Sequence, residues 1–169
     1  GTVVTPEQEI VLVAPQDREE ELTVRLGRIG FDRVAGYLRE PEAAFLTAPD
    51  RVDRGSRITV RRLTTAMKGP MRPVVVDVRN AGELAAGAIF HARHIPLAEL
   101  PRRVQEIPPQ RPVVYCAGGY RSSVAASLLR HAGLRDVSDL IGGYTAWAQA
   151  QGGEPHDLAV ANDFHPITT

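Results

Sequence analysis

Six short apolar runs punctuate the chain, at 10–14, 33–36, 58–60, 73–78, 112–115 and 137–141, several of them β-branched and bounded by turn residues. Runs of this length and composition predict strands. Between them the period changes. Segments 18–29 and 122–132 carry apolar side chains at helical spacing (Leu22, Leu26, Ile29; Ala125, Leu128, Leu129), and each closes on a glycine, Gly30 or Gly133, as a capped helix does. Shorter helices are predicted over 60–67, 81–86, 97–105 and 144–151, while the tail after Gly152 shows no period. Strands alternating with helices imply an α/β fold with a mostly parallel sheet.

The two longer strand–helix–strand stretches are related to each other. Shifted by 103 positions, Val11 falls on Val114, Ala14 on Ala117, Arg18 on Arg121, Leu26 on Leu129, Gly30 on Gly133 and Val34 on Val137, without a gap. That pattern is an internal repeat. The second copy has further strand and helix signals ahead of it, from Ile58 to Leu100, whereas the first would need residues before Gly1. The expectation is a chain that begins midway through one module, crosses a linker, and then holds a complete second module; the opening Gly1, in place of an initiator Met, agrees with a piece of something longer.

Composition narrows the function classes. With 169 residues, 43% hydrophobic and 24% charged, the chain can bury a core like an ordinary globular protein. Twenty basic residues balance twenty acidic ones, so no net field favours nucleic acid or an anionic membrane surface. No apolar run approaches the length of a membrane span, and the amino terminus lacks a signal pattern, so a cytoplasmic location is expected. One cysteine, Cys116, cannot form an internal disulfide, and chemistry at its thiol requires an outside partner.

Cys116 lies between the apolar run 112–115 and a helix expected to start near Ser122, in the string Cys116-Ala117-Gly118-Gly119-Tyr120-Arg121-Ser122. A short glycine-bearing turn at the end of a strand, feeding a helix, can aim successive backbone N–H groups into one concave space. Such groups favour a thiolate over a thiol and lower the cysteine pKa. Arg121 adds a cation, for an anionic sulfur donor or for closing the loop onto its own carbonyls, and Gly118 and Gly119 permit backbone angles that side chains forbid. Tyr120, with no apolar period around it, is placed at the lip of the loop. A lone cysteine is also commonly an inert buried hydrophobe.

Four motifs in order carry a family resemblance over about ninety residues. Cys116-Ala117-Gly118-Gly119-Tyr120-Arg121 resembles the C-x-x-G-x-R active loop of the rhodanese superfamily. Upstream, Asp77-Val78-Arg79 with Glu83 is similar to its D-V-R-x-x-x-E, and His94-Ile95-Pro96-Leu97 to its H-I-P-L; downstream, Gly142-Gly143-Tyr144 with Trp147 resembles its G-G-x-x-x-W. One departure is visible: Gly87-Ala88-Ile89-Phe90-His91-Ala92 stands where the family usually has G-H-I-x-G-A, which leaves the local turn open.

The resemblance implies a rhodanese-like parallel sheet flanked by helices, preceded by a partial, degenerate copy of the same fold. Residues 1–50 would be that inactive copy, 51–56 a linker, 57–152 the catalytic module and 153–169 a tail. It implies a sulfurtransferase with Cys116 and Arg121 catalytic and with Ala117, Gly118, Gly119 and Tyr120 binding substrate through loop amides and rim. No metal or organic cofactor is required. Partners would be small sulfur donors (thiosulfate or a low-molecular-weight persulfide) and thiophilic acceptors. The neutral loop side chains lean towards persulfides or persulfide-derived thiosulfate. Val13 stands where the first copy would need its cysteine, and residues 29–38 resemble the degenerate domain of bacterial fusions that join a metallo-β-lactamase-like persulfide dioxygenase to rhodanese domains. A persulfide dioxygenase domain in the full-length chain is then a further expected partner; no H-x-H-x-D-H metal motif occurs in these residues.

Other readings stay in view. Asp77, Arg79 and Glu83 could serve as acid–base machinery, but an Arg79–Glu83 ion pair near a helix start, with Asp77 capping or packing beside it, is the simpler expectation. His91 and His94 invite a metal reading with too few further ligands to support it, and His94 is expected to stabilise a turn. Tyr144 and Trp147 are expected to be core or rim aromatics. A cysteine phosphatase or arsenate reductase would place five residues between Cys and Arg, whereas four intervene here. A non-catalytic docking module is the remaining alternative.

Overall fold

A computed structural model describes residues 3–152; the aperiodic tail from 153 onwards lies outside them. The chain opens with β1 (Ile10–Leu12), α1 (Glu19–Gly27) and β2 (Val34–Tyr37), followed by α2 (Pro41–Thr47) and a single 3-10 turn, Pro49–Arg51. A second set then runs β3 (Ser56–Ile58), α3 (Val60–Lys68), β4 (Val75–Asp77), a 3-10 segment Ala81–Ala86, β5 (Arg93–His94), α4 (Leu100–Arg103), a 3-10 turn Val104–Glu106, β6 (Val113–Tyr115), α5 (Tyr120–His131), β7 (Ser138–Leu140) and α6 (Gly143–Gly152). β1 and β2 pair in parallel as a small sheet, and the other five strands form a parallel sheet ordered β3-β7-β6-β4-β5. None of the helices among the described residues is long and apolar enough to cross a membrane.

Helices cover both faces of the larger sheet, so its central strands are buried on both sides rather than on alternate positions. β4 and β6 are buried at every position. Because side chains alternate between faces, Val76, Val78, Val114 and Cys116 join Leu100, Ala125, Ala126 and Leu129 on the α4–α5 side. Val75, Val113 and Tyr115 join Leu63 and Leu140 on the α3–α6 side, with Tyr144 and Trp147 packed against that cluster. Cys116 therefore ends its strand facing α5.

Several local expectations shift. The run at 58–60 divides: β3 ends at Ile58, and Thr59 becomes the N-cap of α3, its side chain accepting the Arg62 N–H at 3.4 Å. Ser56, expected in a linker, already pairs with Ser138 of β7. The helix expected over 97–105 is only the short α4 and a 3-10 turn, entered through Pro101. The segment 81–86 closes as a 3-10 turn under a capping box between Asn80 and Glu83. β5 and α2 had no counterpart among the predicted elements.

The two stretches related by 103 positions share backbone geometry. Val11 pairs with Gly36 and Val114 with Asp139, the same register at the same offset. At the ends of α1 and α5, Gly30 and Gly133 have φ of +83° and +100°, and the next residue donates back to Leu26 in one case and Leu129 in the other. Burial differs completely: α1 buries no residue, and Val11 and Val13 are 63% and 60% exposed, whereas Val114 is fully buried.

The departure at 87–92 has a backbone consequence. His91 sits at φ +61°, in the left-handed region, at the position where the resembling pattern carries glycine. A side chain there is strained by roughly 1–2 kcal/mol. His91→Gly is expected to raise stability by about 1 kcal/mol, read as a higher urea midpoint with an unchanged slope.

Candidate active site

β6 delivers Cys116 to the carboxyl end of the sheet, and α5 starts four residues later at Tyr120, two residues earlier than the spacing suggested. The sulfur lies low in the turn: Cys116 is 2% exposed. It is not turned away from polar groups. The Gly119 N–H reaches Sγ at 3.1 Å, and the thiol lies 3.7 Å from the Ser122 hydroxyl, which itself donates to the Gly119 carbonyl at 3.0 Å. Burial pushes the thiol pKa up, but the N–H groups of Ser122, Gly119 and Gly118 and the Ser122 hydroxyl outweigh it, and the net direction is down.

The loop is held from behind by α6. Tyr144 N–H donates to the Cys116 carbonyl at 2.7 Å and Thr145 N–H to the Ala117 carbonyl at 3.0 Å. These are N–H groups of a helix's first turn, which lack partners within their own helix. So close an approach requires glycine: a Cβ on Gly143 would lie 2.3 Å from the Cys116 oxygen and 2.6 Å from that of Ala117. Within the loop only Gly119 needs its freedom, at φ +109°; Gly118 has no positive φ, and a Cβ there would meet open space. The expectation that both glycines serve special angles is thus corrected to one.

The charged residues pair differently from the expectation. Arg79 does not bind the Glu83 carboxylate. It is 2% exposed, and its guanidinium engages the equally buried Asp77 carboxylate, with Nε at 2.9 and 3.0 Å and Nη2 at 2.6 Å, touching Glu83 only at its carbonyl. A buried carboxylate needs its countercharge beside it, and Arg79 is the adjacent cation. The Tyr115 hydroxyl donates to the same carboxylate at 2.8 Å, and the Arg79 guanidinium lies 4.3 Å from the Tyr144 ring centroid and 5.5 Å from that of Tyr115. Arg121 does not close onto loop carbonyls. Its two terminal nitrogens bind the Glu83 carboxylate at 2.6 and 2.7 Å, and that pairing holds Glu83 down to about 2. Glu83 stands on the outer turn facing the start of α5, which is why it reaches Arg121 rather than Arg79.

The remaining candidates separate. Tyr120 is 84% exposed on the first turn of α5, at the mouth of a cavity of about 540 Å³ that runs along the loop. Ala117 is half-buried, its carbonyl committed to α6. The His94 ring Nε2 meets the Arg79 carbonyl at 2.8 Å, so it ties β5 to the turn after β4. Sequence reasoning did not single out Ser122 or Gly143 as site residues. Their signals were present, a serine six residues after the cysteine and a double glycine where the last helix begins, but sequence alone does not show the contacts that give them meaning.

Two expectations follow. Alkylation of Cys116 by a neutral reagent should titrate below the ordinary thiol range, and Gly143→Ala should move that midpoint up by about 1 pH unit by displacing the amides. The Glu83 carboxyl is depressed when folded, so its stabilisation is present above the ordinary value of 4.5 and is lost as pH falls towards about 2. Glu83→Gln should remove that part of the acid sensitivity, read by denaturant unfolding across this window.

The comparisons agree with this geometry. The rhodanese-like domain family matches residues 60–150, more than half of the chain. A sulfurtransferase of Allochromatium vinosum is 42% identical over 77 residues, covering 45% of this chain and 72% of that protein. The thiosulfate sulfurtransferase GlpE of Coxiella burnetii is 33% identical over 75 residues, covering 44% of this chain and 70% of that protein. The uncharacterized protein YqhL of Bacillus subtilis is 39% identical over 80 residues, where the chain spans 64% of that relative's length and 47% of its own. Among solved structures, a rhodanese-related protein of Thermoplasma volcanium superposes with a TM-score of 0.52 at 30% identity, covering 59% of this chain and 95% of that one. A parallel sheet of this order, a cysteine loop between β6 and α5, and matches of this extent place the chain in the rhodanese-like family, with sulfurtransferases among its relatives.

Proposed function

We propose that the chain moves sulfane sulfur from thiosulfate or a low-molecular-weight persulfide to a thiophilic acceptor through a persulfide on Cys116. The observation that carries the reading is a single thiol whose pKa is lowered by the amides of its own turn. A thiolate is the nucleophile that such a reaction needs. In the first half, the Cys116 thiolate attacks the outer sulfur of the donor, the new S–S bond forms, and the old one breaks with its electron pair leaving on sulfite or on the donor thiolate. In the second half, cyanide, sulfite or a thiolate attacks the outer sulfur of the persulfide and Cys116 departs as a thiolate. Protons exchange with solvent, and neither half calls for a metal or cofactor.

In this reading the N–H groups of Gly118, Gly119 and Ser122 serve twice, steadying the attacking thiolate and then the persulfide anion. Arg121 acts by clamping the start of α5 to Glu83, with Tyr120 at the rim. Residues 1–50 are read as an inactive remnant of the same module, since Val13 replaces the thiol and is exposed; a persulfide dioxygenase partner upstream fits that reading. Spacing opposes the phosphatase alternative, with four residues between Cys116 and Arg121.

Incubation with thiosulfate followed by intact mass is the direct measurement. The protein should gain about one sulfur atom's mass, lose it on addition of cyanide, and gain nothing as Cys116→Ser. No gain from either thiosulfate or a small persulfide, or a gain that survives in the serine variant, would overturn the reading.

A further inference from the structure

The loop side chains are neutral and Arg121 is occupied by Glu83, so the turn itself offers an anionic substrate little positive charge. That charge is found next door. The cavity of about 540 Å³ beside the loop runs along α5 towards the edge strand β3, and its walls include Gly119, Tyr120, Ser127, Arg57, Arg130 and Asp139. Two guanidinium groups face one carboxylate in it.

Among the described residues neither arginine is fully committed. Arg57 and Asp139 touch at 3.3 Å in all three of their contacts, long for a charge-assisted pair, and the Arg57 side chain is 54% exposed. By contrast, Arg121 and Arg79 hold their carboxylates at 2.6 Å at their closest. Arg130 donates through one nitrogen to the Val137 carbonyl at 3.1 Å, and its other terminal nitrogen lies along the chain at Gly55, where a Cβ would come within 2.7 Å. Gly55 thereby leaves room for that guanidinium. One residue separates the cavity from the sulfur: Gly119 lines the cavity, donates to Sγ at 3.1 Å, and a Cβ on it would stand 4.0 Å from Arg57 Nη2.

We infer that this cavity is the seat of the carboxylates of a low-molecular-weight thiol or its persulfide, held by Arg57 and Arg130 while its sulfur reaches Cys116 past the rim at Tyr120. The volume is of the order of a small-ligand pocket. A guanidinium with open donor positions suits a carboxylate. Asp139 cancels part of the charge, so the site favours a ligand with more than one negative group over a single weak anion. The thiol half of the assignment rests on the sulfur-transfer reading, and the carboxylate half does not.

Equilibrium binding to Cys116→Ser tests the carboxylate half without any sulfur loading. Mercaptosuccinate is titrated into this variant by calorimetry, with thioglycerol as the uncharged counterpart. Saturable binding of mercaptosuccinate is expected, weakened by added salt, with thioglycerol at least tenfold weaker. Arg57→Gln and Arg130→Gln should each weaken mercaptosuccinate by about tenfold. Ser127→Asp, which adds a negative charge on the exposed side of α5, should do the same and does not depend on the Arg130 bond to Val137. Equal affinity for the two thiols, or unchanged binding in Arg57→Gln and Ser127→Asp, would overturn the inference. Anion binding of the expected pattern without persulfide formation in the wild-type chain would instead retire the sulfur-transfer reading and leave the cavity assignment standing.

Discussion

Two hydrogen bonds from the first turn of α6 to the carbonyls of Cys116 and Ala117 decide what the cysteine loop can do. A trans peptide unit carries its C=O and the following N–H on opposite sides of one plane. When α6 draws the Ala117 carbonyl outwards, the Gly118 N–H is turned inwards, among the groups that lower the Cys116 pKa. Gly119, at positive φ, then turns the chain so that its own N–H meets the sulfur. One of the dipoles acting on the thiol is thus aimed by a helix that lends no side chain to the loop, and Gly143 is the point at which that helix can come near enough.

Around this contact the charged residues work as braces. Asp77, Arg79, Tyr115 and Tyr144 tie β4, β6 and α6 together beneath the loop, with both ions of the central pair nearly inaccessible. Removing one partner of such a buried pair typically costs about 3–5 kcal/mol, because the other is left uncompensated. The pair between Glu83 and Arg121 is half-exposed and weaker in kind, yet it spans 38 residues of sequence and fixes the first turn of α5, the element whose amides face the sulfur. One pair fixes the floor of the site and the other its far wall.

Sequence reading went furthest where the determinants are local. The glycine caps of α1 and α5, the apolar centres of β4 and β6, and the strand-to-helix turn at Cys116 all follow from residues adjacent in the chain. Pairing of charges did not, because Arg79 had acidic neighbours two residues before it and four after it, and burial chose between them. The missing β5 is two residues long, too short to show a period. Burial itself is the least legible quantity. α1 and α5 share spacing, cap and register, yet Leu129 is fully buried and its counterpart Leu26 only partly, because only α5 has a five-stranded sheet beneath it. Identical local patterns specify a backbone; a core appears only where neighbouring elements complete it.

The division of labour between loop and surroundings has a physical logic. Amide dipoles act on the sulfur at contact distance in a partly dry turn, where salt screens them little. Full charges set in the same turn would bind an anionic donor tightly in its ground state and would also hold the anion that must depart, so ground-state binding would rise without a matching gain in the transition state. Placing the cations along α5 and β3, one loop's width from the sulfur, separates capture from chemistry. In the proposed assignment Arg57 and Arg130 hold the part of a ligand that does not react, while the sulfur meets the N–H groups of its turn and the Ser122 hydroxyl. On the proposed sulfur transfer, the thiolate, the persulfide and the departing anion succeed one another in the same dipole-lined turn, and no ion pair need break between them.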